Sequence, residues 1–261
     1  MIINSRFAAV LAGLALAIDA HAGNCSAASA ERTVALIELY TSEGCDSCPP
    51  ADRWLSSLGA RGYAPDRVVP IALHVDYWDY IGWKDPYAKR EFSTRQRNLA
   101  KLQRLSFVYT PQVLLQGQDF RRWGGAEFDD ALTLINARPA RAAIAVSLSG
   151  PGPGGFEVEV DARVIDASQR ESAALYLAAY ENKLVSQVSA GENHGKTLAH
   201  DYVVLDWVGP IGFGPGGRAV EKRRLPLQPG AVPANSGVVA FVQDRASGDV
   251  LQALMRPACP G

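Results

Sequence analysis

Residues 34–52 read VALIELYTSEGCDSCPPAD, and this stretch decides the fold of the first half of the chain. The mostly apolar run 34–40 has the length and composition of a buried strand. Residues 49–60 begin with two prolines and continue with apolar residues at helical spacing, which predicts a helix. Cys45 and Cys48 therefore lie where a strand passes into the first turn of a helix.

The spacing of these two cysteines suits thiol–disulfide exchange. Unpaired backbone N–H groups and the helix dipole stabilise a thiolate at Cys45, and a spacing of three brings Cys48 within bonding reach. In such exchange Cys45 attacks a substrate disulfide and Cys48 resolves the mixed disulfide. The negative charge of Asp46 opposes thiolate formation, so we expect a less oxidising pair than one flanked by cations. We also expect Cys45 to be exposed to a partner, with Cys48 beneath it.

The order of elements around the cysteines indicates an α/β region. Between residues 31 and 140, apolar runs and amphipathic segments follow one another in the order β-α-β-α-β-β-α. The predicted strands are 34–40, 68–75, 112–116 and 120–123, with a turn at 117–119, and the predicted helices are 49–60, 86–105 and 126–136.

The character of the sequence changes beyond residue 141. Short alternating segments are separated by Gly- and Pro-rich stretches, which is typical of an antiparallel β-sandwich. We place the boundary near Pro139, so that an α/β domain at 31–140 precedes a β-rich, sandwich-like domain at 141–261. The alternating segments are 142–149, 156–164, 172–180, 201–208, 237–243 and 249–255.

Residues 1–22 have the pattern of a secretory signal peptide. Arg6 precedes an apolar run from 7 to 18, and the sequence Ala-His-Ala ending at Ala22 resembles a signal-peptidase site. We expect cleavage near Ala22 and a secreted or periplasmic mature protein. The apolar run is too short to span a bilayer comfortably, and no later run is long enough, so no membrane span is predicted.

The other two cysteines, Cys25 and Cys259, lie near opposite ends of the mature chain. An even number of cysteines in an exported protein makes disulfide bonds the default. Pairing Cys25 with Cys259 is economical because it leaves Cys45 and Cys48 to each other. We expect the Cys25–Cys259 bond to be a structural staple without a catalytic role.

The composition is that of a folded globular protein with no nucleic-acid-binding character. Hydrophobic residues make up 48% of the chain and charged residues 20%, a balance that excludes a disordered protein. Lys and Arg number 26 against 27 Asp and Glu, so the formal net charge is −1. A nucleic-acid partner would normally require a clustered basic face.

Four stretches of the chain resemble a known family. The first region resembles the thioredoxin superfamily, and the stretches together look more narrowly like an exported thioredoxin-like family catalogued as domain of unknown function 1223. This resemblance implies a thioredoxin-like fold for the first region and no established activity. Unlike thioredoxin, the chain lacks a Trp directly before the first cysteine and has a Pro directly after the second. The stretches are 40–52, 74–78, 108–112 and 191–202.

The resemblance assigns roles to three further residues. A cis-proline faces the cysteines in the thioredoxin fold, and Pro111 stands just before the third predicted strand. A cis bond there would leave the Thr110 backbone free to pair with an extended substrate, whereas the alternative is an ordinary trans-proline entering a strand. Glu38 lies where thioredoxins keep a buried acid that relays a proton to the second cysteine. Its alternative role is that of a carboxylate satisfied by a neighbouring Lys or backbone group.

An aromatic-rich loop follows the second predicted strand. Tyr77 and Trp78 belong to it, and on this fold the loop lies near the rim of the cysteine site. They either contact a substrate peptide or pack against the second region.

The histidines offer a metal-binding alternative. His74 together with Cys45 and Cys48 would give a site suited to Cu(I) or zinc, although a lone strand histidine is more often a hydrogen-bonded core residue. His194 and His200 match no standard ligand spacing, and the residues around them favour a hairpin connection.

Three functional classes follow, in order of preference. The first is an exported thiol–disulfide oxidoreductase that exchanges disulfides with protein substrates and a redox partner through Cys45 and Cys48, without a cofactor. The second is a carrier of Cu(I) or zinc. The third is a non-catalytic binding module with a static disulfide, in which the β-rich region carries the function.

Overall fold

A computed structural model describes residues 25–152 and 154–259 of the protein. The expected signal peptide at residues 1–22 lies outside this range. Within it, no helix is both long enough and apolar enough to cross a membrane.

The first region contains three helices and the strands between them. The predicted order β-α-β-α-β-β-α is found, with a 3-10 helix at Asp76–Ile81 before the second helix. The elements are β1 Cys25–Ala28, β2 Ala35–Thr41, α1 Pro49–Ser57, β3 Val68–His74, α2 Arg90–Leu102, β4 Gln112–Leu115, β5 Gln118–Asp119 and α3 Glu127–Asn136.

The second region consists of strands joined by turns and short 3-10 segments. The strands are β6 Ala142–Gly152, β7 Gly155–Val164, β8 Ala173–Glu181, β9 Leu184–Gln187, β10 Thr197–His200, β11 Val203–Gly212, β12 Arg218–Leu225, β13 Ser236–Asp244 and β14 Val250–Pro257.

A mixed eight-stranded sheet runs through both regions in the order β14-β13-β8-β11-β3-β2-β4-β5. β2 pairs in parallel with β3 and antiparallel with β4, which in turn pairs antiparallel with β5. β11 joins β3 through a parallel pairing of Val203 with Ala72. Strands from both sides of the boundary expected near Pro139 therefore share one sheet.

β2 is buried along its whole length, and its side chains enter two different clusters. Leu36 and Tyr40 pack on the face covered by α2, whereas Ile37 and Leu39 pack on the face covered by α1 and α3. A strand covered on both faces reads as a continuous apolar run, which is why this strand stands out in the sequence. By alternation, Glu38 shares the α2 face with Leu36 and Tyr40.

The β-rich region is built as one sheet packed on another. Four antiparallel strands in the order β1-β6-β7-β12 form the second sheet. Its inward side chains, such as Val146 and Val160, share a core with Leu177 of β8 and Ala240 of β13. The sequence patterns missed β1, which places the start of the described chain at the edge of this sheet.

The strand predicted at 120–123 is wrong. Gln116 and Gly117 both have positive φ angles, 53° and 77°, and form the two-residue turn of a tight hairpin. The partner strand therefore begins directly after them, at Gln118, and ends at Asp119. Residues 121–124 form a turn instead, and Trp123 packs against Trp54 of α1 with 5.1 Å between ring centroids.

Two disulfide bonds are present, and one of them joins the two ends of the described chain. Cys25 bonds Cys259 across a sequence separation of 234, with a Cα–Cα distance of 5.9 Å. Cys45 bonds Cys48, and no cysteine remains free among the described residues, which include all four.

We expect the double substitution Cys25→Ala and Cys259→Ala to lower the free energy of unfolding substantially. Closing so long a loop restricts the unfolded chain and contributes about 5 kcal/mol in the chain-entropy model. Denaturant titration measures the effect. The matched control is Cys45→Ala with Cys48→Ala, which opens a very short loop and should cost less than half as much. Equal losses from the two pairs would contradict the staple role of Cys25–Cys259.

Candidate functional site

The Cys45–Cys48 disulfide lies at the junction that the sequence predicts. β2 ends at Thr41, the Cys45 amide donates to the carbonyl of Ser42, and Cys48 is the N-cap of α1. Pro49 occupies the first turn, where its missing N–H leaves no unsatisfied donor. The Cα atoms of the two cysteines are 5.5 Å apart. Strand, bend and helix together hold the two sulfurs at one end of the sheet.

The expected exposure of Cys45 is wrong. Cys45 and Cys48 are both 0% exposed, although Asp46 and Ser47 between them are exposed. The Cys45 Sγ lies 3.4 Å from the hydroxyl of the exposed Ser47. The physical reason for the burial is that two segments distant in sequence, described below, pack against this loop.

The first covering segment is the aromatic-rich 3-10 helix after β3. A Cβ atom placed on Gly44 would lie 3.3 Å from Trp78 Cβ and 3.2 Å from Ile81 Cδ1, so the helix packs tightly on the cysteine loop. The Trp78 indole N–H donates to the Thr110 hydroxyl at 2.7 Å. Trp78 thus connects the loop that carries the cysteines to the segment that precedes β4. Tyr77 is half-buried in the core cluster on the α2 face.

Pro111 stands at the same end of the sheet as the cysteines. The Thr110–Pro111 peptide bond is cis, and the next residue, Gln112, pairs with Tyr40 near the end of β2. Thr110 precedes the ladder between β4 and β2, so its backbone is not part of that ladder. The structure therefore brings Thr110, Pro111 and Trp78 together with the end of β2 from which the cysteine loop leaves.

Glu38 does not have the position expected of a proton relay. It lies on the α2 face of β2, opposite the face covered by α1, and its carboxylate accepts from Arg95 Nε at 2.7 Å and Nη2 at 2.9 Å. The Tyr40 hydroxyl donates to it at 2.8 Å. A buried carboxylate held by a bidentate guanidinium is retained as an ion pair. Glu38 is therefore a satisfied carboxylate, as the alternative has it, but its partner is Arg95 where a Lys or a backbone group is expected.

The second covering segment is the hairpin of β9 and β10, together with its connecting loop at 188–196. β9 and β10 pair antiparallel, as the sequence around His194 and His200 indicates. The fully buried Asn193 donates from its side-chain amide to the carbonyls of Glu43 and Cys45, both at 2.8 Å. Glu192 accepts from the Asp46 amide at 3.0 Å. The hairpin loop therefore holds the backbone on both sides of Gly44.

Glu43, two residues before Cys45, has hydrogen-bond partners from two segments, the loop at 83–85 and the β9–β10 hairpin. Its carboxylate accepts from the Trp83 indole at 2.8 Å and lies 3.1 Å from His200 Nε2. Its backbone amide donates to Asp85 at 2.8 Å, and its carbonyl accepts from Asn193. Sequence reasoning did not single out Glu43, Asp85 or Asn193 as site residues, because the partners of Glu43 lie 40 to 157 positions away from it.

His74 is a buried core histidine. Its Nδ1 lies 2.7 Å from the Asp85 carboxylate, and both side chains are 0% exposed. Burial acts most strongly on His74 and lowers its pKa, but the charge and hydrogen bond of Asp85, together with the charges of Asp52 and Glu43, outweigh burial and raise the pKa. Burial likewise acts most strongly on Asp85 and raises its pKa, but the charge and hydrogen bond of His74, together with two backbone hydrogen bonds, lower the pKa below its usual range. In the described part of the chain, no group of three His, Cys, Asp or Glu side chains is placed to hold a metal.

Asp52 of α1 adds a further buried carboxylate beside the histidines. It accepts from the Thr41 hydroxyl at 3.2 Å and lies 3.9 Å from His200 Nδ1. Burial raises the pKa of Asp52, and the charges of His200 and His74 offset part of that increase. A network of ionisable side chains thus underlies the cysteine loop.

We expect Glu38→Gln to destabilise the fold without changing how fast the Cys45–Cys48 disulfide is reduced. The substitution leaves the buried Arg95 guanidinium without its anion, which costs about 3–5 kcal/mol. Chemical denaturation and the rate of reduction by dithiothreitol test the two parts. A large change in the rate at which the Cys45–Cys48 disulfide is reduced in folded Glu38→Gln would instead support a proton-relay role for Glu38.

We expect His74→Gln to cost about 3 kcal/mol in the free energy of unfolding at mildly acidic pH. Because the folded pKa of His74 is raised, its contribution is fully present below the ordinary pKa of about 6.5. It is lost as the pH rises through the raised value. The lowered pKa of Asp85 keeps the pair intact down to acidic pH. The difference between variant and wild type should therefore shrink in alkaline solution.

Urea titrations of both proteins across this pH range measure that difference. Glu43, Asp52 and His200 also border the pair, and comparing variant with wild type at each pH removes what they contribute equally to both. The exposed His194 is the matched control, because His194→Gln should leave stability unchanged throughout. A pH-independent loss for His74→Gln would contradict the charged pair.

Comparison with known proteins identifies relatives over most of the chain. Protein AGR_C_4864 from Agrobacterium tumefaciens has 27% sequence identity, covers 89% of this chain and 98% of its own, and superposes with a TM-score of 0.62. HBP35 of Porphyromonas gingivalis has 15% identity, coverages of 88% and 76%, and a TM-score of 0.64, a likeness of fold alone. No curated protein matches the chain.

A family model described as "Protein of unknown function (DUF1223)" matches residues 36–243. The matched segment includes the cysteine loop, the 3-10 helix and the hairpin that cover it, and most of the eight-stranded sheet. The chain therefore belongs to the DUF1223 family.

Proposed function

We propose that this protein is an exported thiol–disulfide oxidoreductase that exchanges disulfides with protein substrates through Cys45 and Cys48. The observation that carries the proposal is the position of this disulfide. It lies at the start of α1, at the same end of the sheet as the segment Thr110–Pro111. A helix N-terminus stabilises thiolates close to it, and both sulfurs lie at the start of α1, with Cys48 as its N-cap and Cys45 bonded to it.

The arrangement of elements supports a thioredoxin-like domain at residues 31–140, followed by a β-rich domain at 141–261. The strands of the first region lie in the order β3-β2-β4-β5, with α1 and α3 on one face and α2 on the other. This assignment rests on two features. Strands β2 and β3 are a parallel pair joined through α1, and strands β4 and β5 form an antiparallel hairpin. The resemblance in the sequence around Cys45 and Pro111 points to the same fold.

The proposed reaction conserves atoms and electrons. The Cys45 thiolate of the reduced protein attacks one sulfur of a substrate disulfide, forms a mixed disulfide and releases the other substrate sulfur as a thiolate. The Cys48 thiolate then attacks Cys45, which re-forms the Cys45–Cys48 bond and releases the second substrate sulfur. Two electrons pass from the protein to the substrate. A redox partner reverses the exchange and completes the cycle.

Substrate contacts are available beside Pro111. A hollow of about 370 Å³ is lined by Phe107, Tyr109, Pro111, Arg121 and Trp123. Phe107 is 64% exposed, although large apolar side chains are usually buried. An extended peptide that pairs with the Thr110 backbone would place an apolar side chain in this hollow.

Export is part of the proposal. Two disulfide bonds in one chain favour an oxidising compartment, because cytosolic thiols are kept reduced. A cleaved signal at residues 1–22 would deliver the protein to the periplasm or the medium.

One observation favours a second function. The complete burial of Cys45 and Cys48 is the environment of an inert structural disulfide. A binding module with a static disulfide, in which the β-rich region carries the function, is therefore the competing proposal.

The two proposals make opposite predictions for turnover. As an oxidoreductase, the wild type catalyses insulin reduction or the oxidation of a dithiol peptide, and Cys45→Ala abolishes both activities. Reduced Cys48→Ala should accumulate a mixed disulfide with a cystine-containing peptide through Cys45, because the resolving thiol is missing. Cys45→Ala is the matched control and should trap far less. Absence of turnover, with a reduction potential far below about −270 mV, would favour the static module.

A further inference from the structure

The burial of the Cys45–Cys48 disulfide depends on a hairpin that belongs to neither of the two large sheets. β9 and β10 form a separate two-stranded sheet, and their loop at 188–196 contacts the cysteine loop through Asn193 and Glu192. Exchange requires an incoming sulfur to reach Cys45, and access is one of the factors that set its rate. This hairpin loop binds the backbone that carries Cys45, so its position affects how an incoming sulfur approaches the disulfide.

The contacts of the hairpin with the cysteine loop are few and directed at the backbone. The Asn193 amide bridges two carbonyls, those of Glu43 and Cys45, and Glu192 accepts from the Asp46 amide. A Cβ atom placed on Gly191 would lie 3.0 Å from Ile81 Cδ1, so the hairpin loop also packs closely on the 3-10 helix. A net hydrogen bond contributes about 0.5–1.5 kcal/mol. The hydrogen bonds between the hairpin loop and the backbone of the cysteine loop are therefore individually weak enough to break.

The base of the hairpin is a defined boundary in the backbone. Lys183 and Tyr202 both have a φ of 59°, in the left-handed region. The Lys183 amide donates to Asp201 at 2.9 Å and the Tyr202 amide donates to Asn182 at 2.8 Å. Directly beyond them, β8 and β11 pair within the eight-stranded sheet. The rigid sheet ends where the hairpin begins, so displacing the hairpin tip need not break a strand of that sheet.

Isolated two-stranded hairpins are marginally stable, and segments that open locally are drawn from such elements. Val185 of β9 is 61% exposed, and β10 packs on α1 through the buried Leu198. His200 at the end of β10 lies 3.1 Å from Glu43, which keeps the base of the hairpin close to the cysteine loop. The tip at 188–196 is therefore the part best placed to move.

We propose that the β9–β10 hairpin is a lid over the Cys45–Cys48 disulfide and that Asn193 is the positioning residue that keeps it closed. This inference rests on the proposed exchange function, because only a reacting disulfide needs to be uncovered. Asn193 takes no part in the chemistry. It acts by holding the carbonyl of Cys45, and a substrate reaches the sulfur after this contact breaks.

The test is the rate at which dithiothreitol reduces the oxidised full-length protein. Each event converts one dithiothreitol to its cyclic disulfide and delivers two electrons and two protons to Cys45 and Cys48. Alkylation followed by mass spectrometry measures the free thiols at each position. Asn193→Ala removes two buried hydrogen bonds and should accelerate reduction of this pair by about tenfold or more. Equal rates in folded wild type and Asn193→Ala would overturn the lid.

Two controls are built into the chain. Thr197→Ala lies on the same hairpin and removes only a surface bond to Gln187, so its reduction rate should match that of the wild type. The Cys25–Cys259 bond in the same samples reports general loosening, and its rate should not change in any variant. If Asn193→Ala fails to fold, Glu192→Gln decides the matter, because it weakens the surface contact with Asp46 and should give a smaller acceleration.

This experiment separates the lid from the proposed function. Dithiothreitol needs no protein-recognition surface, so faster reduction of Asn193→Ala without insulin turnover by any variant supports the lid and counts against the oxidoreductase. Insulin turnover by the wild type with no acceleration in Asn193→Ala supports the oxidoreductase and overturns the lid.

Discussion

The buried carboxylate and backbone of Glu43 are the constraint on which the arrangement of the site depends. Four partners from two segments converge on this one residue: Asp85 and Trp83 from the loop at 83–85, and His200 and Asn193 from the hairpin. A buried anion is costly unless its oxygens are satisfied, so these segments must come together for the cysteine loop to adopt its conformation. Cys45 follows two residues later, and its depth in the protein is a consequence of this convergence.

The same convergence explains why the two regions of the chain form one site. The cysteines and Pro111 come from the first region, whereas the hairpin that covers them leaves the antiparallel β8–β11 pair. Because β11 also pairs with β3, the strands that flank the hairpin and the strand that precedes the cysteines belong to the same sheet. The β-rich region thus contributes the hairpin that contacts the cysteine loop, in addition to its own sandwich core.

Most elements of the first region can be predicted from short stretches of sequence. Strand β2 follows from its apolar run, and helices α1 to α3 follow from apolar periodicity and, for α1, from the prolines after Cys48. The turn at Gln116 and Gly117 was misplaced because its positive φ angles depend on tight hairpin pairing rather than on composition. The exposure of Cys45 and the role of Glu38 were wrong for a different reason. Both depend on partners, Asn193 and Arg95, that lie 148 and 57 residues away, and a single sequence carries no signal of such pairings.

The position of the hairpin late in the chain has a consequence for biosynthesis. Chains are made from the N-terminus, and the regions that emerge first begin to fold first. A nascent chain that has reached only β8 contains both cysteines of the motif but not Asn193. During this interval the hydrogen bonds of Asn193 to the carbonyls of Glu43 and Cys45 cannot form. The order of synthesis thereby means that the cysteine loop acquires this part of its surroundings only after the first region has been made.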